Sequence, residues 1–313
     1  MPLEIANSIL CHCWRHDDIA SGRLILESIC VNGLLLTTNA AKLDGFQIDR
    51  GRGVEIMEIM QHPRTSFTDI PFDRMAMHGQ RYGRYGVGFK RETIIDWGGL
   101  PVWYLPNYWS DVTLKIAGGL FVNSLHAAMH AADHFRVVTQ ELAKQNISVT
   151  VNYAHGPTVG SEQLVKEMEQ VKNAVYTVLS FIKEMSPSDV ENHSYLLERE
   201  WRLVSGMNRT DQTPAYRQLT SAEKETLCAT KPAWRKPRES SDVNISSRYG
   251  TAPVIDSFQF FNGLPHRATV AQSIDTILVP DESEARWVEK FVIDQPRLFV
   301  ESAPPRIVIF PGS

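Results

Sequence analysis

Cysteine is scarce in this chain: four residues in 313, at positions 11, 13, 30 and 228. Scaffolds held by disulfides carry many more, in paired spacings, and no C-x-x-C motif occurs here, so the expectation is a reducing, cytoplasmic setting. Long apolar runs are missing as well. None approaches the roughly 18 residues of a membrane span, and the opening MPLEIANSILCHCW places Glu4 where a signal peptide needs basic side chains. The expectation is a protein that neither spans a membrane nor carries an export signal. A dominant charge is absent too. With 32 Lys and Arg against 36 Asp and Glu, the net charge of −4 offers no global attraction for nucleic acid or anionic lipid, so any such binding is local. Internal repeats and low-complexity tracts are not visible. What is present is 43% hydrophobic and 22% charged residues, enough for an ordinary core and incompatible with wholesale disorder or a fibrous rod. The length suits one elaborated domain or two of about 150 residues each.

The patterning predicts a strand within Glu4 to Trp14 and a helix over Ile19 to Val31, which Asp17 and Asp18 can cap and Asn32-Gly33 can stop. Leu34 to Leu36 begins a new element, and polar, Gly-interrupted Ala40 to Arg52 reads as a loop. Arg64 to Ile70 reads as a short strand ended by Pro71, and Phe72 to Gln80 as a short helix. Tyr85 to Ile95 reads as a strand pairing with Leu100 to Leu105 across Trp97-Gly98-Gly99. Two long helical patterns follow. Val112 to Lys144 is interrupted by Gly118-Gly119, and Ser161 to Met185 carries a stripe of Leu164, Met168, Val171, Val175, Val178 and Ile182, with Ser161 as its cap. Tyr195 to Ser205 turns to strand. Met207 to Gly250 is polar and reads as a long flap, and the end of the chain reads as strand (Ser273 to Pro280), helix capped by Asp281, strand (Arg297 to Glu301) and a final apolar Ile307 to Phe310.

Several clusters of residues can carry chemistry. In a strand, period two sets Glu198, Glu200 and Arg202 on one face and Leu197, Trp201 and Leu203 on the other. Two carboxylates and a guanidinium so close are costly to bury without a purpose, and they read either as an active site or as a cross-strand ion network. Arg64, Ser66, Thr68 and Asp69 bring polar groups to the end of a short strand near Tyr82 and Tyr85, where glycines admit a close ligand approach. Cys11-His12-Cys13 lacks the spacing of a zinc knuckle. His126, His130 and His134 line one helix face without a completing carboxylate or thiol, so no metal is expected. Trp234 lies among Lys231, Arg235, Lys236 and Arg238, the pattern of a single-stranded nucleic acid contact, although 207–250 as a whole holds only 8 Lys and Arg against 5 Asp and Glu.

Taken in order, Phe67-Thr68-Asp69-Ile70-Pro71, His78, Tyr82-Gly83, Tyr85-Gly86-Val87-Gly88-Phe89-Lys90, Gly99-Leu100-Pro101-Val102-Trp103-Tyr104 and Glu198-x-Glu200-Trp201-Arg202 resemble the abortive-infection AbiGi family of phage-resistance proteins. The resemblance runs from about Leu10 to Glu301, with 207–250 poorly matched. It implies bacterial antiviral defence in a two-component toxin and antitoxin arrangement, this component being the antitoxin. A weaker similarity is to ADP-ribosyltransferases that modify DNA or RNA: His12 on a first strand, a helix ending in Ile29-x-x-Asn32-Gly33-Leu34-Leu35, and an acidic residue, Glu200, on a late strand. That similarity implies NAD as substrate. Cleaving its nicotinamide–ribose bond develops positive charge on the ribose, which Glu200 would stabilise while Glu198 orients the acceptor or accepts its proton. Arg64 would meet the pyrophosphate, with Ser66 supporting the strand end. His12 would meet the adenosine ribose, and Tyr82 or Tyr85 would stack on nicotinamide.

The expected architecture is therefore an α+β, mixed-sheet, ADP-ribosyltransferase-like core. Residues 1–110 and 189–313 form its two halves, 111–188 a helical insertion, and 207–250 a flap. The expected function is an NAD-consuming effector acting on nucleic acid or protein; the alternative is a non-catalytic antitoxin that binds a partner.

Overall fold

The computed structural model describes residues 9–15, 19–38, 40–49, 54–60, 62–69, 71, 75–106, 112–147, 150–152, 158–185, 199–205, 216–237, 252–299 and 304–310. The chain divides into two compact units, one of Met1–Asn39, His62–Trp103 and Asp189–Ser313, the other of Ala40–Gln61 and Tyr104–Ser188.

In the first unit, β1 (Ile9–Trp14) leads to helix α1 (Ile19–Asn32) and β2 (Leu34–Leu36). Gly33 between them has φ +91°, and a Cβ there would overlap the Phe261 carbonyl, so glycine both ends the helix and lets the next strand lie close. The chain then supplies β3 (Arg64–Thr68), α2 (Met75–Tyr82), β4 (Tyr85–Lys90), α3 (Arg91–Asp96), β5 (Leu100–Pro101) and β6 (Glu200–Val204). After these come β7 (Tyr216–Gln218), α4 (Ser221–Thr230), β8 (Gln259–Phe261), β9 (Ile274–Val279), α5 (Glu282–Asp294), α6 (Pro296–Phe299) and β10 (Arg306–Ile309). Seven strands form a mixed sheet in the order β10-β9-β4-β1-β3-β6-β5, in which β9 and β10 run parallel and the other neighbours antiparallel. A second sheet has the order β7-β8-β2.

The strand period sorts side chains of the large sheet onto two apolar faces. Leu10 and Trp14 of β1, Phe67 of β3, Tyr85, Val87 and Phe89 of β4, Leu203 of β6 and Ile277 and Val279 of β9 join the main core with Leu26 and Ile29 of α1. Ile9, Cys11, Met75, Leu278 and Phe310 make a smaller cluster on the other face. Edge-to-face rings tie the two sheets together, from Phe67 to Phe89 at 5.9 Å, Phe89 to Trp97 at 5.2 Å and Trp97 to Phe261 at 5.1 Å. Such contacts add about 0.5–1.5 kcal/mol each beyond their buried area.

In the second unit, strand Ala40–Asp49 pairs antiparallel with Val54–Met60, with a register shift between Leu43 and Gln47. Helices Val112–Lys144 and Ser161–Ser180 pack together, and Lys172 Nζ donates to Asp133 at 2.6 Å between them.

Several local expectations are corrected. Residues 40–49 are a strand, not a loop: the apolar partner Val54–Met60 holds a segment whose own Gly and charges conceal it. Tyr85–Lys90 does not pair with Leu100–Leu105. Arg91–Asp96 is helical, β4 pairs with β1 and β9, and β5 pairs with β6, because distant strands offer better partners than the adjacent turn. The helix from Val112 runs through Gly118-Gly119. Ser161 is the first helical residue and Gly160 the cap, while Ile182–Met185 is a strand. Within the expected flap, β7 and α4 are regular, α4 being fixed by a capping box in which Thr220 and Glu223 satisfy each other's backbone amides. Finally, Pro296–Phe299 is helical where a strand was expected. The caps expected at Asp17 and Asp18 lie outside the described residues.

Candidate functional site

The polar residues of β3 and β6 face one another because the strands pair antiparallel, Glu200 opposite Thr68 and Arg202 opposite Ser66. Ser66 Oγ and Arg202 Nε each donate to Glu200 Oε1 at 2.8 Å. The side chains of Arg202 and Glu200 are only 4% and 11% exposed, which makes this a sequestered ion pair whose carboxylate charge the guanidinium offsets. Glu198, the other proposed catalytic carboxylate, lies outside the described residues.

Just beyond this trio, Arg91 at the start of α3 donates to Asp69 Oδ2 at 2.8 Å, and its guanidinium lies 5.9 Å from the Trp201 ring. Asp69 is buried, and its backbone amide donates to the Arg199 carbonyl at 3.3 Å. Arg199 itself has φ +42°, an unusual left-handed conformation for a non-glycine residue at the entry to β6. Nothing in the local sequence announces the Asp69–Arg91 pair; it follows from a helix starting where β4 ends.

The residues assigned to NAD are divided by the sheet. Ser66 and Glu200 share one face, and Arg64 is in register with Val204 two positions along it. Tyr82 is on α2, the helix whose Met75 covers that same side, and its ring lies 4.5 Å from His78 and 5.4 Å from the Arg81 guanidinium. His12 and Tyr85 belong to the opposite face. The His12 ring packs 5.9 Å from Phe67 and 6.0 Å from Trp14, and its Nδ1 lies 2.8 Å from the Ser66 carbonyl oxygen. Burial pushes the imidazole below its ordinary pKa, partly opposed by that backbone contact. Tyr85 is wholly buried, stacks on Trp14 at 6.1 Å, and donates its hydroxyl to Glu284. Glu284 also accepts from Arg23 Nε and Nη2 at 2.8 and 2.7 Å, and Arg23 lies 4.7 Å from the Trp287 ring. This Tyr85–Glu284–Arg23 network pins α1 and α5 to β4, and a sequence separation of 199 residues hides it from any local motif. The phenol is a core anchor, and the set His12, Arg64, Ser66, Tyr82, Tyr85 does not converge on one NAD-sized site.

Burial pushes the Cys11 thiol up to about 12, and all four cysteines are free. Among the described residues no group of three His, Cys, Asp or Glu is arranged to hold a metal ion, and no helix is long and apolar enough to cross a membrane. Trp234 packs edge-on to Phe258 at 5.0 Å, Lys231 lies 5.0 Å from its ring, and Arg235 is bonded to Glu225 at 2.5 Å. Lys236 is exposed, and Arg238 lies outside the described residues.

What emerges is a mixed α/β protein whose paired strands β3 and β6 build an internal polar network. The chain belongs to the family described as abortive phage resistance protein AbiGi, antitoxin, whose sequence model matches residues 45–232. That span begins after β1, α1 and β2, takes in β7 and α4 inside the supposed flap, and stops before β8 to β10, so it does not cover the resemblance expected at either end of the chain. No curated protein and no solved structure matches the chain.

Proposed function

We propose that this chain serves abortive phage infection as an antitoxin that binds and restrains a protein toxin, and that Glu200, Arg202 and Ser66 hold the sheet together instead of breaking a glycosidic bond. The observation that carries this reading is the pairing of Glu200 with a buried guanidinium at 2.8 Å. A carboxylate held against a guanidinium in this way is screened by an adjacent positive charge, which weakens its pull on a developing oxocarbenium ion. The family description, antitoxin, agrees with it. The alternative, ADP-ribosyl transfer from NAD, draws on Arg64, Ser66 and Glu200 lying along one face. It asks His12 and Tyr85 to act from the other, so the residues do not fit the dinucleotide and no step is derived through it.

The test co-expresses the chain with the toxin of its own locus. Growth is expected to recover and the two proteins to co-purify, and the purified chain is expected to release no nicotinamide from NAD above a buffer blank. Growth arrest by this chain alone, together with nicotinamide release abolished by Glu200→Gln, would overturn the proposal in favour of the enzyme.

A further inference from the structure

Helix Val112–Lys144 spans about 50 Å at 1.5 Å per residue. It packs against helix Ser161–Ser180 and strand Ala40–Asp49, while a further stretch between 120 and 138 is exposed. Among the described side chains between positions 120 and 138, the exposed ones are Leu120, Phe121, Ser124, Ala127, Ala128, His130, Ala131, His134, Val137 and Val138. The four large apolar ones are far from buried, Leu120 at 63%, Phe121 at 39%, Val137 at 47% and Val138 at 42% exposure. No Asp, Glu, Lys or Arg shares this face. The two within the segment, Asp133 and Arg136, are half-buried, 3.7 Å apart, and Asp133 is held by Lys172 of the neighbouring helix. A solvated helix face ordinarily carries charge, and one that is apolar on its open side has a partner.

The spacing of the central residues identifies that partner. Leu120, Ser124, Ala127, Ala131, His134 and Val138 follow one another at intervals of four, three, four, three and four, the seam of a helix that pairs with another helix. The seam is also symmetric about its midpoint, with large residues at the ends and small ones in the middle. Laid antiparallel on itself, it sets Leu120 against Val138, Ala127 against Ala131 and Ser124 against His134. The alanines permit the close approach of two helix axes, and Phe121 and Val137 flank the seam on opposite sides. A parallel arrangement would instead set His134 against His134 and align the two helix dipoles, both unfavourable.

We propose that two copies of this chain associate through this face, with the two helices antiparallel about a two-fold axis near position 129. Such an isologous contact needs only one self-complementary patch. The seam covers about 27 Å of helix. With its flanking residues it forms the apolar centre of an interface near the floor of roughly 1,000 Å² for specific association, so the dimer should dissociate on dilution.

Sedimentation equilibrium of the full chain, read over a concentration series, tests the assignment. The wild type is expected to approach twice the 35.4 kDa chain mass as concentration rises. Leu120→Lys and Val138→Glu, both at exposed positions, should each shift the chain towards monomer with an unchanged far-ultraviolet circular dichroism spectrum. Mixing the two variants should restore the dimer, because the antiparallel register brings Lys and Glu together across the axis. A wild type that stays monomeric throughout, or a mixture no more dimeric than its components, would overturn the proposal. A monomer whose toxin binding is lost in Leu120→Lys would reassign the face to the toxin. A monomeric wild type that still neutralises the toxin would leave the antitoxin reading standing, so the two proposals fail separately.

Discussion

At the scale of single residues, Glu200 and Glu284, both with little of their carboxylates exposed, are each committed to an arginine. Glu200 accepts from Arg202 and Ser66, and Glu284 from Arg23 and Tyr85. Removing one partner of a buried pair leaves a charge without compensation, which costs on the order of 3–5 kcal/mol, more than the pair itself contributes. Glu200→Gln retains the shape of the side chain yet removes the carboxylate charge that Arg202 Nε meets at 2.8 Å, so thermal denaturation is expected to show a clear fall in melting temperature. Arg202→Met should lower it by a comparable amount. If Glu200→Gln melts like wild type, the pair is not structural, and the catalytic reading regains its footing. The contrast between His12 and Glu200 is also a residue-scale matter. Both are half-buried on adjacent parts of one sheet, and pleating sends them to opposite sides.

At the scale of elements, helix α4 shows how a polar stretch becomes ordered. Thr220 accepts from the Glu223 amide at 3.3 Å, the Thr220 amide donates to Glu223 Oε2 at 2.8 Å, and Arg217 of β7 donates to Glu223 Oε1 at 2.7 Å. Thr220→Ala should therefore cost about 0.5–2 kcal/mol, measurable as a shift in the denaturation midpoint. The hydrogen bond from Arg217 holds the Glu223 carboxyl down at about 2, from an ordinary 4.5. Because the folded value is the lower one, the stabilisation is complete above about pH 4.5 and is lost as pH falls towards 2. Protection of the α4 amides, taken as observed exchange relative to the intrinsic rate at each pH, should fall across that window in the wild type. In Glu223→Gln it should be low and nearly flat over the same range; identical profiles would remove the Arg217–Glu223 contact from the account.

For the whole molecule, acid stability is expected to fall in two stages. Burial, assisted by the Arg81 charge, brings the His78 imidazole from 6.5 down to about 4, and burial lowers His12 as well. Groups depressed in the folded state stabilise it above their unfolded pKa and withdraw that support as pH falls through the folded value. Melting temperature should thus begin to decline below about pH 6.5. It should fall more steeply below about 4.5, where Glu284, held low chiefly by its hydrogen bonds from Arg23, starts to protonate in the unfolded chain. His78→Gln should flatten the upper stage and leave the lower one. A melting temperature that stays level from pH 7 to 4 would show that neither imidazole titrates with unfolding.

The sequence by itself determined the elements whose signals are local. The Asn32-Gly33 stop, the Asp281 cap, the apolar stripe behind Ser161 and the alternation along β1 and β6 all act through neighbours within a few residues. It also carried the family, through motifs spread over much of the chain. What only the tertiary structure decided are the pairings at long separation. Strand Ala40–Asp49 exists because Val54–Met60 covers it, β5 pairs with β6 a hundred positions away, and Tyr85 belongs to Glu284. The site divides for the same reason. Sequence order brings His12, Ser66 and Glu200 into one list of polar candidates, but strand register and pleat determine which side of the sheet each side chain occupies, and that depends on partners no local window contains.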